Sequence, residues 1–297
     1  MRYRLAGTLA SVAAAIAVAV WSSEARQSAS PPAPAPRLAD GTVNLGRVPG
    51  EKGVWRVPYI QNMAMRVVGA DGQLLPDIPK TQGRGRGGAR SEPWIPWMPW
   101  SAALYDYNSR NDSKYDPEGY CLPPGGPRFM ATPYPMEIIQ LPDQRRIVMI
   151  FEGGTHIWRE IYMDGRSHPT GNALNPTFLG HSVGRWEGDT LVIDVVGFNE
   201  HTWLDYFGHP HTDKLHVVER WSRPNKNTLH YEATITDPAA YTRPFTVAWD
   251  IPWDQNGELM EYICQENNQY LNHLVDDVGQ PIVGPRREPG APSGVTR

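Results

Sequence analysis

From Met136 onward the chain breaks into short runs of alternating polarity, each closed by a turn signal. This punctuation constrains the fold more than any other feature. The runs are Glu137–Leu141, Arg146–Phe151, His156–Met163, His181–Glu187, Thr190–Gly197, His216–Arg223, Thr228–Thr236 and Phe245–Ile251, with a last one near Leu259–Cys264. The breaks include Glu152-Gly153-Gly154, Asp164-Gly165, Gly188-Asp189, Pro224-Asn225 and Asp254-Gln255-Asn256-Gly257. Strands of this kind joined mostly by short turns predict an antiparallel meander. A sheet of eight or nine such strands must hide its edges, and closure on itself does that most simply. The expected fold is therefore all-β: a single antiparallel up-and-down barrel, a shape able to hold one small ligand. A two-sheet sandwich with a dry core is the alternative.

Side-chain facing sharpens the picture. With Gly188-Asp189 as the turn, Trp186, Gly184 and Ser182 stand opposite Leu191, Ile193 and Val195 on the core face. The other face carries His181, Arg185, Glu187 and Asp194. In His216–Arg223 the core face reads Val217, Glu219, Trp221, and in His156–Met163 it reads Ile157, Arg159, Ile161, Met163. A lone buried charge is costly, so Glu219 and Arg159 are expected to pair with each other or with a nearby polar loop.

Ahead of the strands the chain changes character. Residues 1–25 read as a signal peptide: Arg2 and Arg4 form a basic head, Leu5 to Trp21 an apolar run, and Ser23-Glu24-Ala25 a small-residue exit. An uncleaved membrane anchor competes, but the many alanines and that exit favour cleavage, which places the mature protein in the periplasm or outside the cell and off the membrane. Residues 26–50 are Ala/Pro-rich and are expected to form a disordered leader. Residues 51–127 are expected to form an extended strap with a short helix. Prolines interrupt Trp94-Ile95-Pro96-Trp97-Met98-Pro99-Trp100, so those rings are expected to pack across the domain, with a carbohydrate-binding platform as the sharper alternative. Ser101 is the expected N-cap of a helix over Ala102–Arg110. The barrel is expected to occupy 128–275, and 276–297 a C-terminal tail.

A net charge of −4 without a basic cluster on any expected strand or helix argues against a nucleic-acid partner. The tract Arg84-Gly85-Arg86-Gly87-Gly88 reads as a flexible loop. In an exported chain the two cysteines, Cys121 and Cys264, are expected to form a disulfide. No feature specifies an oligomeric state.

Chemistry concentrates between His201 and His216, which hold four of the nine histidines. The candidate acid–base residues are His209, His211 and His216, with Asp205, Asp213 and Glu219 as partners. Arg159, Arg185, His181 and Trp203 are candidates for binding a substrate and closing its pocket. One alternative places a divalent metal, the one cofactor considered, among His201, His209, His211 and His216, with Pro210 holding two of them extended. The bland alternative has these residues solvated or capping turns. The segment Gly180-His181-Ser182-Val183-Gly184 resembles a nucleophile elbow, but a strand follows it where the elbow needs a turn into a helix, which argues against a Ser182 nucleophile.

Several longer motifs carry a resemblance. Tyr120-Cys121-Leu122-Pro123-Pro124-Gly125-Gly126-Pro127-Arg128, the Gly180–Phe198 hairpin, His209–Arg220, Asp237-Pro238-x-x-Tyr241-Thr242 and Glu261-Tyr262-x-Cys264-x-Glu266-Asn267-Asn268 resemble a large group of uncharacterised exported proteins of soil bacteria. The resemblance covers most of the chain after residue 50 and implies location and kinship. A more distant similarity to lipocalin-like barrels rests on the meander alone. The expected function is an exported enzyme acting on a small organic molecule in the barrel cavity by His/carboxylate acid–base chemistry, of lyase, hydratase or isomerase type. The alternatives are a binding protein for a hydrophobic or aromatic molecule and a metal-dependent hydrolase using the histidine loop.

Overall fold

In the computed structural model, which describes residues 31–75, 92–111, 114–266 and 268–269, the Gly188-Asp189 turn joins two strands in the register that side-chain alternation requires. Trp186 pairs with Leu191, Gly184 with Ile193 and Ser182 with Val195. Among the described residues there are ten strands: β1 (Val54–Arg56), β2 (Val67–Val68), β3 (Pro135–Leu141), β4 (Arg146–Phe151), β5 (Trp158–Tyr162), β6 (His181–Glu187), β7 (Thr190–Val196), β8 (His216–Asn225), β9 (Thr228–Thr236) and β10 (Phe245–Asp254). Nine of them close into a barrel in the order β1-β3-β4-β5-β6-β7-β8-β9-β10, with β10 returning to β1, while β2 adds to the edge of β10. Closure removes the sandwich alternative.

The expected uniform antiparallel meander needs one correction. β5 and β6 run parallel, and they pair over only two positions, Ile161 with Ser182 and Tyr162 with Val183. Parallel neighbours need a long crossover rather than a hairpin, and residues 163–180 supply it. They re-enter β6 through Gly180, whose φ of +67° suits glycine. The barrel is thus one antiparallel run, from β6 through β10, β1 and β3 to β5, closed by a short parallel seam.

A second correction concerns the closing strand. Leu259–Cys264 is irregular; the amide of Met260 donates to Glu152 Oε2 at 2.8 Å instead of joining a ladder. The three-residue β1 closes the barrel from the region expected to be a strap. The leader also enters the fold. Val43 and Leu45 are buried, Trp55 Nε1 donates to the Leu45 carbonyl, and Arg223 Nη1 donates to the carbonyls of Asn44 and Gly46. Residues expected to be disordered up to 50 therefore pack on the barrel around Val43–Gly46.

Inside, every second side chain of β8 and β9 is buried. Trp55, Trp221, Tyr231, Met136, Met149 and Ile161 are fully buried, each contributing about 1.5–3 kcal/mol by leaving water. The lumen expected to hold a ligand is occupied by these side chains. The helix α1 spans Pro99–Arg110, beginning earlier than expected because Pro99 takes its first turn. Met98 is its N-cap, while Ser101 Oγ donates to the carbonyls of Met98 and Ala240. Trp97 packs against Tyr105 and Tyr241, so the Trp-Pro segment forms a strap at that ring rather than an exposed platform. Cys121 and Cys264 form the expected disulfide.

The chain divides into two units, Met1–Ala33 and Pro34–Arg297, and the barrel belongs to the second. The signal peptide 1–25, the tract Arg84–Gly88 and the tail 276–297 lie outside the described residues. Among the described residues no helix is long and apolar enough to cross a membrane.

Candidate functional site

The histidines expected to form one site are distributed among separate networks. His209, 1% exposed, is held between two carboxylates: its Nε2 lies 2.9 Å from Glu92 Oε2 and its Nδ1 lies 2.7 Å from Asp205 Oδ2. The second contact has ion-pair distance without hydrogen-bond direction. Asp205 also accepts from the amides of Met63, Gly208 and His209, and Glu92 from Asn62 Nδ2 and the Tyr105 hydroxyl. Trp97 and Tyr105 cover the imidazole at centroid distances of 5.0 and 4.3 Å. Burial alone pushes the His209 pKa down, but the two carboxylates outweigh it and raise it to about 10. Its two carboxylates thus favour His209 as a buried imidazolium.

His211 is also buried. Its Nδ1 donates to the Thr212 carbonyl at 3.1 Å, so in the neutral ring Nε2 accepts from the Thr202 hydroxyl at 2.7 Å. Burial pushes its pKa down, which keeps it neutral. Asp213 pairs with Lys214 at the surface, His201 and Arg185 are exposed, Arg185 pairs with Glu187, and Trp203 is half-buried. Of the expected group His209, His211, His216, Asp205, Asp213 and Glu219, the structure keeps His209 and Asp205 together, while His211, His216, Asp213 and Glu219 are each drawn to a partner outside it. The metal alternative meets the same obstacle: among the described residues no three His, Cys, Asp or Glu side chains are arranged to hold an ion.

The pairing of Arg159 with Glu219 is present inside the barrel. Arg159 Nη1 bonds the two carboxylate oxygens at 3.0 and 2.8 Å, and its Nε donates to Ser182 Oγ at 2.9 Å. Glu219 accepts further from Trp221 Nε1 and the Tyr231 hydroxyl, at 3.1 and 3.4 Å. Burial, with the Glu219 charge second, pushes the Tyr231 phenol well above its usual range. Among the described residues, Arg159 Nη2 is a buried donor with no hydrogen-bond partner.

A cleft of about 580 Å³ lies at the parallel seam. Because β5 and β6 pair over two residues only, Trp158–Glu160 stand apart from the returning crossover, and the wedge between them remains open. Arg159 and Ser182 contribute to its lining. Leu174, Phe178 and Leu179 provide apolar surface, Tyr162 and His181 aromatic surface, and Trp158, 65% exposed, stands at the same cleft. Two sequence candidates, Arg159 and His181, are therefore brought to one place.

His181 ends a hydrogen-bonded chain. Its Nδ1 lies 2.8 Å from His168 Nδ1, and His168 Nε2 lies 2.9 Å from Asp194 Oδ1, which His216 Nε2 also reaches at 3.0 Å. An ionised carboxylate only accepts, so His168 donates from Nε2. With both rings neutral, His168 Nδ1 then accepts from His181 Nδ1, which leaves the lone pair of His181 on Nε2. Burial first, and His168 second, push the His181 pKa down, which favours the neutral ring. Sequence reasoning omitted His168, although its own segment, Ser167-His168-Pro169, has turn character. Glu92 and Tyr105 carried no local signal.

Comparison of the chain with protein-family models, with curated proteins and with solved structures finds no match.

Proposed function

We propose that the protein is an exported binding protein for a small hydrophobic or aromatic molecule, held in the cleft at the β5–β6 seam. One observation carries this reading: a largely apolar cleft of ligand size opens beside an exposed tryptophan, with the buried Arg159–Ser182 pair in its lining. Export is supported by the basic, apolar and small-residue order of residues 1–25, by the soil-bacterial resemblance and by the disulfide. A lipocalin-like relationship is the finer reading of the closed barrel, supported by its antiparallel run from β6 through β10, β1 and β3 to β5.

The test fills the cleft. Leu174 is half-buried and lines it, so Leu174→Trp occupies the space without opening the core. With the neutral, polarity-sensitive fluorophore N-phenyl-1-naphthylamine, the wild type shows saturable fluorescence enhancement, and the variant binds about tenfold more weakly or less. Equal affinity of the two proteins removes the cleft as the site.

A second reading, acid–base catalysis on the bound molecule, is favoured by the Asp194–His168–His181 chain. It ends in a basic nitrogen on a residue of the cleft and connects to a carboxylate able to stabilise the imidazolium formed on proton uptake. This retains isomerase- or lyase-type chemistry but moves the base from the His209 loop to His181.

A further inference from the structure

Four tyrosines line a different cleft. Tyr59, Tyr134, Tyr206 and Tyr262 share a space of about 510 Å³ with the carboxylates of Asp116 and Glu118. The rings come as two pairs: Tyr59 and Tyr206 edge to face at 6.0 Å, and Tyr134 and Tyr262 at 5.0 Å with their hydroxyls 3.1 Å apart. Such a density of aromatic surface around acidic groups sets a strong chemical preference.

Charge decides what kind. The buried Arg128 grips Asp116 with two nitrogens, Nη1 at 2.7 Å and Nη2 at 2.6 Å, and reaches Glu118 with Nη2 alone at 2.8 Å. One guanidinium therefore serves two carboxylates, and the side chain of Glu118 remains 24% exposed. Burial pushes the Glu118 pKa up, Arg128 works against that rise and Asp116 adds to it. Burial above all, with the Glu118 charge as a smaller contribution, pushes up the phenols of Tyr59 and Tyr134, one from each pair. An anion would meet this excess negative charge and be repelled. A strongly hydrated metal ion gains little from ring faces. An alkylated ammonium gains from both, because the negative faces of tyrosine rings attract a cation whose methyl groups also leave water.

We propose that this cleft binds a small organic ammonium cation, with its alkylated nitrogen among the tyrosines and beside Glu118. The site is independent of the β5–β6 cleft, and either stands without the other.

Choline and its neutral isostere 3,3-dimethylbutan-1-ol differ chiefly in charge, so titration calorimetry of the full mature protein with each isolates the cationic contribution. Choline is expected to bind about tenfold or more tightly than the isostere, and to weaken as salt is raised. Tyr59 is 50% exposed and its replacement leaves the core intact; Tyr59→Leu is expected to weaken choline about threefold or more while leaving the isostere unchanged. Glu118→Gln is expected to weaken choline as well, and since Glu118 also bonds Arg128, Tyr59→Leu decides the matter if that variant does not fold. Equal binding of the isostere, no choline binding at millimolar concentration in low salt, or indifference to Tyr59→Leu overturns the proposal.

Discussion

Replacing Glu219 with leucine is expected to destabilise the protein by about 3–5 kcal/mol, because it leaves Arg159 charged and uncompensated inside the barrel. Arg159 is 5% exposed and Glu219 2%, so both charges are largely withdrawn from water. The same change leaves Trp221 Nε1 and the Tyr231 hydroxyl without their acceptor. The double variant Arg159→Met/Glu219→Leu replaces both charges with apolar groups and is expected to recover most of the loss, since the desolvation cost of the pair disappears with it. Urea unfolding of the three proteins checks this. A double variant no more stable than Glu219→Leu would show that the pair contributes through packing rather than through charge.

The second large effect belongs to His209. Its folded pKa, about 10, lies above the usual imidazole value of 6.5, so its contribution to stability is fully present below about pH 6.5 and is lost as the pH rises through 10. Asp205 has the opposite sign. Its burial is outweighed by His209 and by backbone amides, so its pKa is lowered, and its contribution is present above the ordinary carboxylate range and lost as the pH falls through the depressed value. His209→Gln removes the cation and leaves Glu92 and Asp205 facing each other across a buried space, at a cost of about 3–5 kcal/mol at neutral pH. The wild-type advantage over the variant is expected to shrink steadily from pH 7 to pH 10. Urea midpoints measured across that interval check the slope. A constant difference would mean that His209 is neutral in the folded protein.

Several parts of this architecture were legible because one face of each strand is buried and the period of two leaves no choice. The register of the hairpin at Gly188-Asp189 follows from that rule, and so does the meeting of Arg159 with Glu219: each was the one charge on an apolar face, and the barrel brings β5 and β8 around to each other. The disulfide followed from the expected compartment and the pair of cysteines. The parallel seam was not legible, because residues 163–180 carry turn residues and prolines without periodicity, and nothing local reveals that they return the chain in the same direction. Nor was the closing strand: β1 is three residues long and shows no periodicity of its own. The histidine loop is legible only in part: Asp205 and His209 meet, but closeness along the chain does not bring the other histidines together. His209 found Glu92, 117 positions away, while His216 turned outward to Asp194. The seam cleft inherits Arg159 and His181 from the sequence candidates, but its shape belongs to the crossover.

The most direct test of the seam cleft as the ligand site is a map of where a ligand falls. Backbone and side-chain chemical shifts of the isotopically labelled mature protein, recorded while N-phenyl-1-naphthylamine is titrated in, would supply that map. The largest shifts are expected at Trp158, Tyr162, Leu174, Phe178 and His181, with His209 and His211 undisturbed. Shifts centred on the His209 loop, or spread along the barrel interior, would contradict the account and return the site to the lumen.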